Sequence, residues 1–178
     1  MLLGYKVGLV STIVNKINNR EIKATHTTPN AIELNKLFNQ MVVEGCEFVF
    51  MEVSYHAIVQ NRIAGVDFTG GIFSNITHDH LDFHKTFASY IKAKKAFFDN
   101  LSPKAFALTN VDDQNGMVML QNTKAKKYTY SLKTIADFHA IVLENDFEAQ
   151  LLNIEGVELW TKLIGQFNAY NVLVIYST

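Results

Sequence analysis

Hydrophobic and polar positions alternate along this chain in short blocks whose period changes from segment to segment. Residues 6–12 (KVGLVST) form a compact run of small and β-branched side chains and predict a strand. Residues 13–25 alternate about Asn18-Asn19, a pair suited to a tight hairpin turn. Thr28 and Pro29 then read as the N-cap and first residue of a helix. Its apolar face carries Leu34, Leu37, Phe38, Met41 and Val42, and Gly45 supplies the stop. Residues 47–53 (EFVFMEV) predict a buried strand with Glu52 near its end, and residues 71–75 another that stops at Ser74 and Asn75. Between 84 and 101, Phe87, Tyr90, Ile91, Phe97, Phe98 and Leu101 recur at helical spacing. Residues 105–110 end in a polar residue before Asp112-Asp113, and Asn115-Gly116 opens a short helix over 117–122.

From residue 127 onward the runs shorten and alternate (127–132, 138–143, 149–154, 157–164), which predicts a small antiparallel sheet packed beside the first. Gly165 ends it, and the apolar run 168–176 suits either a helix or a strand. Strands alternating with helices predict an α/β fold: a mostly parallel, doubly wound sheet flanked by helices, with the small antiparallel sheet near the C-terminus. No internal repeat, linker or low-complexity tract interrupts it. Residues 1–4 look like the tail of a helix and the last run meets the C-terminus without a cap, so the expectation is a domain cut at both ends.

With 178 residues, 48% hydrophobic and 19% charged, the chain suits one globular domain. A net charge of −1 provides no basic field for nucleic acid. The single cysteine, Cys46, rules out an intrachain disulfide; it reads as an inert buried thiol in a reducing compartment. No apolar run approaches the roughly 20 residues of a membrane span, and no secretory signal opens the chain. The expected compartment is the cytoplasm, with no membrane partner.

The candidate chemistry converges on residues 70–84 (GGIFSNITHDHLDFH), which hold His78, His80 and His84, three of the six histidines, together with Asp79 and Asp82. Ligands of open parallel sheets bind beyond the carboxyl ends of strands, where this loop falls. Glu52 ends a strand in the same way, a common position for an Mg²⁺ ligand in nucleotide-binding sheets. Lys94 falls inside the apolar stripe, three residues after Ile91 and four before Phe98, whereas Lys92 and Lys95 read as solvated. Desolvation would lower the pKa of an inward lysine. Periodicity leaves two accounts of Lys94: a side chain that reaches back to the rim, or a functional amine.

The runs THTTPNAIEL, MEVSYHAIVQNRIAG, IFSNITHDHLDFHKTFASYIKAKKAFF and GQFNAYN, in this order, resemble the central domain of the Mur ligases along nearly the whole chain. The resemblance is greatest to ligases that add the third residue to UDP-N-acetylmuramoyl-L-Ala-D-Glu, with diaminopimelate favoured over lysine. It implies ATP and Mg²⁺ as cofactors and a reaction through an acyl phosphate, attacked by the amine of the incoming amino acid. His26, Thr27, Thr28, Ser54, Gln60 and Arg62 match contacts to the UDP-MurNAc-dipeptide. Glu52 and His80 match magnesium ligands, Lys94 the lysine carried as an N-carboxylated side chain, and Asn171 the adenine contact, with Asn75 in the same nucleotide site. Such a carbamate is a hard oxygen ligand of the kind Mg²⁺ prefers.

Three features depart from the family pattern. The chain has no G-x-x-G-K-[ST] phosphate loop. The family's uridine-binding and amino-acid-selecting domains are expected to be missing from these 178 residues. Tyr55 stands where a second serine is expected. The isolated chain is therefore expected to be inactive and, with apolar surface uncovered, to self-associate. Two rivals remain. One is a metal-dependent hydrolase using His78, His80, Asp82 and His84, whose H-x-H-x-D-x-H spacing is one residue longer than the H-x-H-x-D-H run of metallo-β-lactamases. The other is a non-catalytic remnant.

Overall fold

The structure, a computed structural model, describes residues 4–76 and 87–178. The chain divides into two compact units, Met1–Val66 and Asp67–Thr178.

In the first unit, β1 (Val7–Val10), β2 (Val14–Ile17) and β3 (Arg20–Lys23) form an antiparallel meander, and β4 (Phe48–Met51) pairs parallel to β1. The sheet order is β3-β2-β1-β4. Asn18 turns the β2–β3 hairpin with φ 54°, a left-handed conformation that asparagine tolerates. Helix α1 (Ala31–Val43) buries Leu34, Leu37 and Met41 against Val10 and Ile17. Val42, assigned above to that face, lies outside it and is exposed. Gly45, with φ 78°, closes the helix by donating its N–H to the Val42 carbonyl. Helix α2 (Tyr55–Val59) follows β4 and is capped by the Ser54 hydroxyl, which accepts the Ala57 N–H at 3.2 Å.

Three expectations need correction here. The cap of α1 is Asn30, whose side chain accepts the Glu33 N–H at 3.0 Å. Thr28 cannot serve because its buried hydroxyl donates to the Glu52 carbonyl at 2.8 Å and accepts the Ser54 N–H at 3.1 Å. Strand β4 is not buried: Phe48, Val49 and Phe50 are 50, 42 and 52% exposed, and among the described residues β4 lies at the edge of its sheet. Cys46 is half-buried, its thiol 3.6 Å from Asn18 Oδ1.

The second unit holds β5 (Gly70–Phe73), α3 (Phe87–Asp99), β6 (Phe106–Asn110), α4 (Gly116–Met119), β7 (Lys126–Ser131), β8 (Phe138–Asn145), β9 (Gln150–Ile154), β10 (Val157–Thr161) and α5 (Gln166–Tyr176). Its six strands lie in the order β10-β9-β8-β7-β6-β5. Strands β5 to β8 are parallel, and β9 and β10 are antiparallel. Adjacent residues of β6 face opposite sides. Ala107 joins Phe73, Phe98 and Met119 under α3 and α4, while Leu108 joins Tyr130, Leu152, Ala169 and Leu173 under α5. Helices therefore cover both faces, as the doubly wound reading requires.

The antiparallel strands do not form a separate sheet beside the parallel one; they extend it through β8. The run 127–132 also belongs to the parallel part, as β7, because the segment carrying α4 returns the chain to the same end of the sheet. The run 168–176 is helical, since Ala169, Val172 and Leu173 present one buried face at helical spacing. No helix among the described residues is long and apolar enough to cross a membrane.

Candidate functional site

Two constellations of polar side chains lie past the carboxyl ends of parallel strands, one within each unit.

In the first unit, Val10 of β1 pairs with Met51 of β4, so the chain leaves both strands side by side. That brings Thr12 to Glu52: the Thr12 hydroxyl donates to Glu52 Oε2 at 2.5 Å and its N–H to the same oxygen at 2.9 Å. The Thr12 hydroxyl also lies 3.1 Å from that of Thr27. Thr28 ties this loop to the end of β4 through the two bonds described above. Arg62 closes the group. Its Nε and Nη2 donate to Gln60 Oε1 at 2.9 and 2.6 Å, and its Nη1 to the Thr28 carbonyl at 2.8 Å.

Thr27, Thr28, Ser54, Gln60 and Arg62, spread over 36 positions of sequence from first to last (27 to 62), thus meet in one network with Glu52. His26 is exposed, with Nδ1 3.2 Å from the Thr25 hydroxyl, and is not tied into that network by a hydrogen bond. Tyr55 opens α2 with its ring edge-on to His56, centroids 5.6 Å apart. Sequence reasoning missed Thr12, although the rule that singled out Glu52, a polar residue just past a parallel strand, points equally to it.

In the second unit, a cavity of about 270 Å³ opens between the ends of β5 and β6 and the first turns of α5. Asn75 and Asn171, the two residues expected in a nucleotide site, both line it, with Asn110, Asp112, Asp113 and Tyr170. The loop after β6 is bonded outward on every side. Asn110 Nδ2 donates to the Ser74 carbonyl at 3.0 Å, and Asp113 Oδ2 accepts the Ile76 N–H at 3.0 Å. Asp112 Oδ1 accepts the Ser131 hydroxyl at 2.7 Å. Its Oδ2 accepts the Leu132 N–H at 2.8 Å and the Tyr170 hydroxyl at 2.9 Å.

Partial burial pushes the Asp112 carboxyl up, but these three donors and the Lys133 charge outweigh it and hold the group below its ordinary value. Burial, the bond to Asp112 and the Asp112 charge push the Tyr170 phenol up, so it remains a donor. Sequence reading noted Asp112-Asp113 only as the end of a strand; Tyr170 carried no signal, because an apolar run conceals which hydroxyl meets a carboxylate.

Lys94 lies half-buried on α3, its ammonium 5.3 Å from the centroid of the Tyr90 ring. Burial lowers its pKa below the ordinary 10.5, as its place in the apolar stripe implied. Lys92 is exposed as expected. Lys95 is not a solvated lysine: it is half-buried and paired with Asp99 at 2.6 Å, one turn away on the same helix. His80, with His78, Asp82 and His84, lies outside the described residues, and so does the hydrolase alternative built on them. Among the described residues no three His, Cys, Asp or Glu side chains gather into a metal-binding group. Glu52 belongs to the first unit and Lys94 to the second.

Residues 1–177 match the family model of the Mur ligase middle domain. The chain is 57% identical over 176 residues to the UDP-N-acetylmuramoyl-L-alanyl-D-glutamate--2,6-diaminopimelate ligase of Cytophaga hutchinsonii, covering 99% of this chain and 36% of that protein. To the ligase of the same name from Bacteroides thetaiotaomicron it is 55% identical over 174 residues, covering 98% and 36%. To that of Clostridium perfringens it is 37% identical over 178 residues, covering 96% and 36%. The chain thus spans a little over a third of the length of these relatives. Its fold is also that of MurF from Acinetobacter baumannii, with TM-score 0.66 at 15% identity over 84% of this chain and 35% of that one. Escherichia coli FolC, solved with DHPP and ADP, gives TM-score 0.58 at 15% identity over 98% of this chain and 46% of that one. A polar network joining Glu52 and Arg62, a cavity bearing Asn75 and Asn171, and a sequence match over 177 residues lead to one conclusion: the chain belongs to the Mur ligase family, as a middle domain.

Proposed function

We propose that this chain is the ATP-using part of a ligase that adds diaminopimelate to UDP-N-acetylmuramoyl-L-Ala-D-Glu through an acyl phosphate, in the cytoplasmic steps of peptidoglycan synthesis. The observation that carries this reading is the 55–57% identity, over 98–99% of the chain, to ligases of that name. In it, Arg62 offers its guanidinium to a substrate carboxylate, a pairing whose two parallel bonds fix orientation. Gln60 already holds that guanidinium in place. His26, Thr27 and Ser54 contribute further polar contacts, and Thr28, with its hydroxyl committed to Glu52 and Ser54, sets the shape of the loop. Asn75 and Asn171 take the nucleotide base.

Mg²⁺ suits the oxygen donors of Glu52 and of a carboxylated Lys94, with His80 as the third ligand that the family resemblance implies. Glu52 Oε1 accepts no hydrogen bond among the described residues, and a lysine whose burial favours its neutral form is suited to take up CO₂. Mg²⁺, when bound, would neutralise charge on the transferred phosphoryl group. Without a G-x-x-G-K-[ST] run, these 178 residues carry no cradle for the ATP phosphates.

The test is phosphate release with ATP, the UDP-MurNAc-dipeptide and diaminopimelate. The 178-residue chain is expected to give none, and a complete ligase carrying it to turn over at an ordinary rate, about 1 s⁻¹ or more. In the complete ligase Arg62→Lys should raise KM for the dipeptide about tenfold or more, since an ammonium cannot reproduce the fork. Lysine accepted and diaminopimelate refused would overturn the choice of amino acid. Turnover by the 178 residues alone would overturn the need for the phosphate loop.

A further inference from the structure

Helix α5 carries Asn171 into the cavity; Gly165 precedes it without a side-chain cap and is held at its own N–H by Asn145 Oδ1 at 3.3 Å. The buried face of α5 fixes how deeply the helix sits on the sheet. It does not by itself fix the end that borders the cavity. One side-chain bond of α5 reaches the loop after β6: the Tyr170 hydroxyl, one residue before Asn171, donates to Asp112 at 2.9 Å.

Asp112 is itself held by Leu132 N–H and by Ser131, whose fully buried hydroxyl also accepts the Lys133 and Thr134 N–H groups at 2.9 and 2.7 Å. The carboxylate is therefore a fixed post standing on the turn after β7. The same loop holds the opposite wall of the cavity, through Asn110 on Ser74 and Asp113 on Ile76.

We infer that Asp112 and Tyr170 form a latch that positions Asn171 for the nucleotide base, so that both walls of the cavity are referenced to the one loop after β6. This inference rests on the nucleotide reading given above. Neither residue need touch the base; both act through Asn171. A charged acceptor with three donors makes the latch stiff, because charge-assisted bonds are shorter and stronger than neutral ones.

Adenosine titrated into the 178-residue chain tests it, with binding followed by saturation-transfer NMR and by the ¹⁵N-labelled side-chain amide of Asn171. Adenosine is chosen because it needs no phosphate loop. Asn171→Ala should weaken binding about tenfold. Tyr170→Phe, which removes one oxygen and keeps the ring packed, should weaken it about fivefold and shift the Asn171 amide signal in the free protein. In an Asn171→Ala background the same change should have no further effect on affinity, because neighbours that act through one another are not additive. Asp112→Asn should reproduce Tyr170→Phe; if it fails to fold, the Tyr170 cycle stands alone. Each variant is also melted, since a merely structural loss lowers the melting temperature equally in both backgrounds and leaves the affinity effects additive. Additive effects, or unchanged affinity in Tyr170→Phe while Asn171→Ala weakens binding, would overturn the latch and leave the nucleotide site standing. No adenosine binding by the unaltered chain would overturn both.

Discussion

Lys94 is held among apolar side chains at a cost to its own solvation. Its pKa falls because burial disfavours the ammonium, and the Tyr90 ring returns part of the lost stabilisation through its negative face. The sign of the pH dependence follows. Between the lowered folded value and the ordinary 10.5, the unfolded chain binds more protons, so the contribution of this residue to stability improves as pH rises. Lys94→Met is therefore expected to stabilise the chain by about 1 kcal/mol at neutral pH, the usual gain when a functional strain is removed. The advantage should shrink as pH climbs toward 10.5, where the unaltered protein no longer carries the buried charge. Paired urea titrations between pH 7 and 10.5 measure it. A gap that stays constant across that range would show that the amine is solvated in both states.

At the scale of elements, β6 and α4 approach closely, and glycine makes the approach possible. A Cβ on Gly116 would lie 1.9 Å from the Asn110 carbonyl oxygen, a backbone atom with nowhere to go. The Thr109 hydroxyl donates to the Gly116 carbonyl at 2.9 Å and locks the contact from the other side. Gly116→Ala should destabilise at the upper end of the roughly 1–3 kcal/mol typical of overpacking. It should also displace Asn110, and with it the bond to Ser74 at the cavity wall. Met117→Ala, one position on and exposed, should change stability by less than about 0.5 kcal/mol. Chemical denaturation of the two variants side by side decides the matter. Equal effects would mean that the turn relaxes and the close approach is not required.

On the scale of the whole molecule, the feature with the largest consequence is the edge of the first sheet. Strand β4 pairs with β1 on one side, and among the described residues no strand pairs with it on the other. Its Phe48, Val49 and Phe50 are exposed on both faces, without the charges or prolines that usually blunt an edge. Phe48 packs edge-on to Tyr5 at 5.2 Å, which leaves Phe50 the better probe. The chain is expected to self-associate with rising concentration, and Phe50→Lys to shift it toward monomer. Sedimentation velocity from micromolar to hundreds of micromolar reads both. A monomer throughout would show that the edge is satisfied without a second copy.

The reading from sequence succeeded where the cause is local. The face of α1 bearing Leu34, Leu37 and Met41 follows from 3.6-residue spacing, the hairpin at Asn18 from a side chain that tolerates positive φ, and the lowered pKa of Lys94 from its register with Ile91 and Phe98. Strand-end positions of Glu52, Asn75 and Asn110 were legible too, because an apolar run that stops at a polar residue marks its own end. What depends on a distant partner was not legible. Thr28 looks like a helix cap until the end of β4 arrives to claim its hydroxyl, and Asn30 caps in its place. Alternation in β7 reads as antiparallel, yet the direction of a strand is set by the connection before it. Thr12, Asp112 and Tyr170 acquire their roles from hydrogen bonds spanning 40, 20 and 58 positions, and only folding brings those atoms within 3 Å. Periodicity records which face of an element is apolar; the tertiary structure alone decides which polar group on the other face finds a partner.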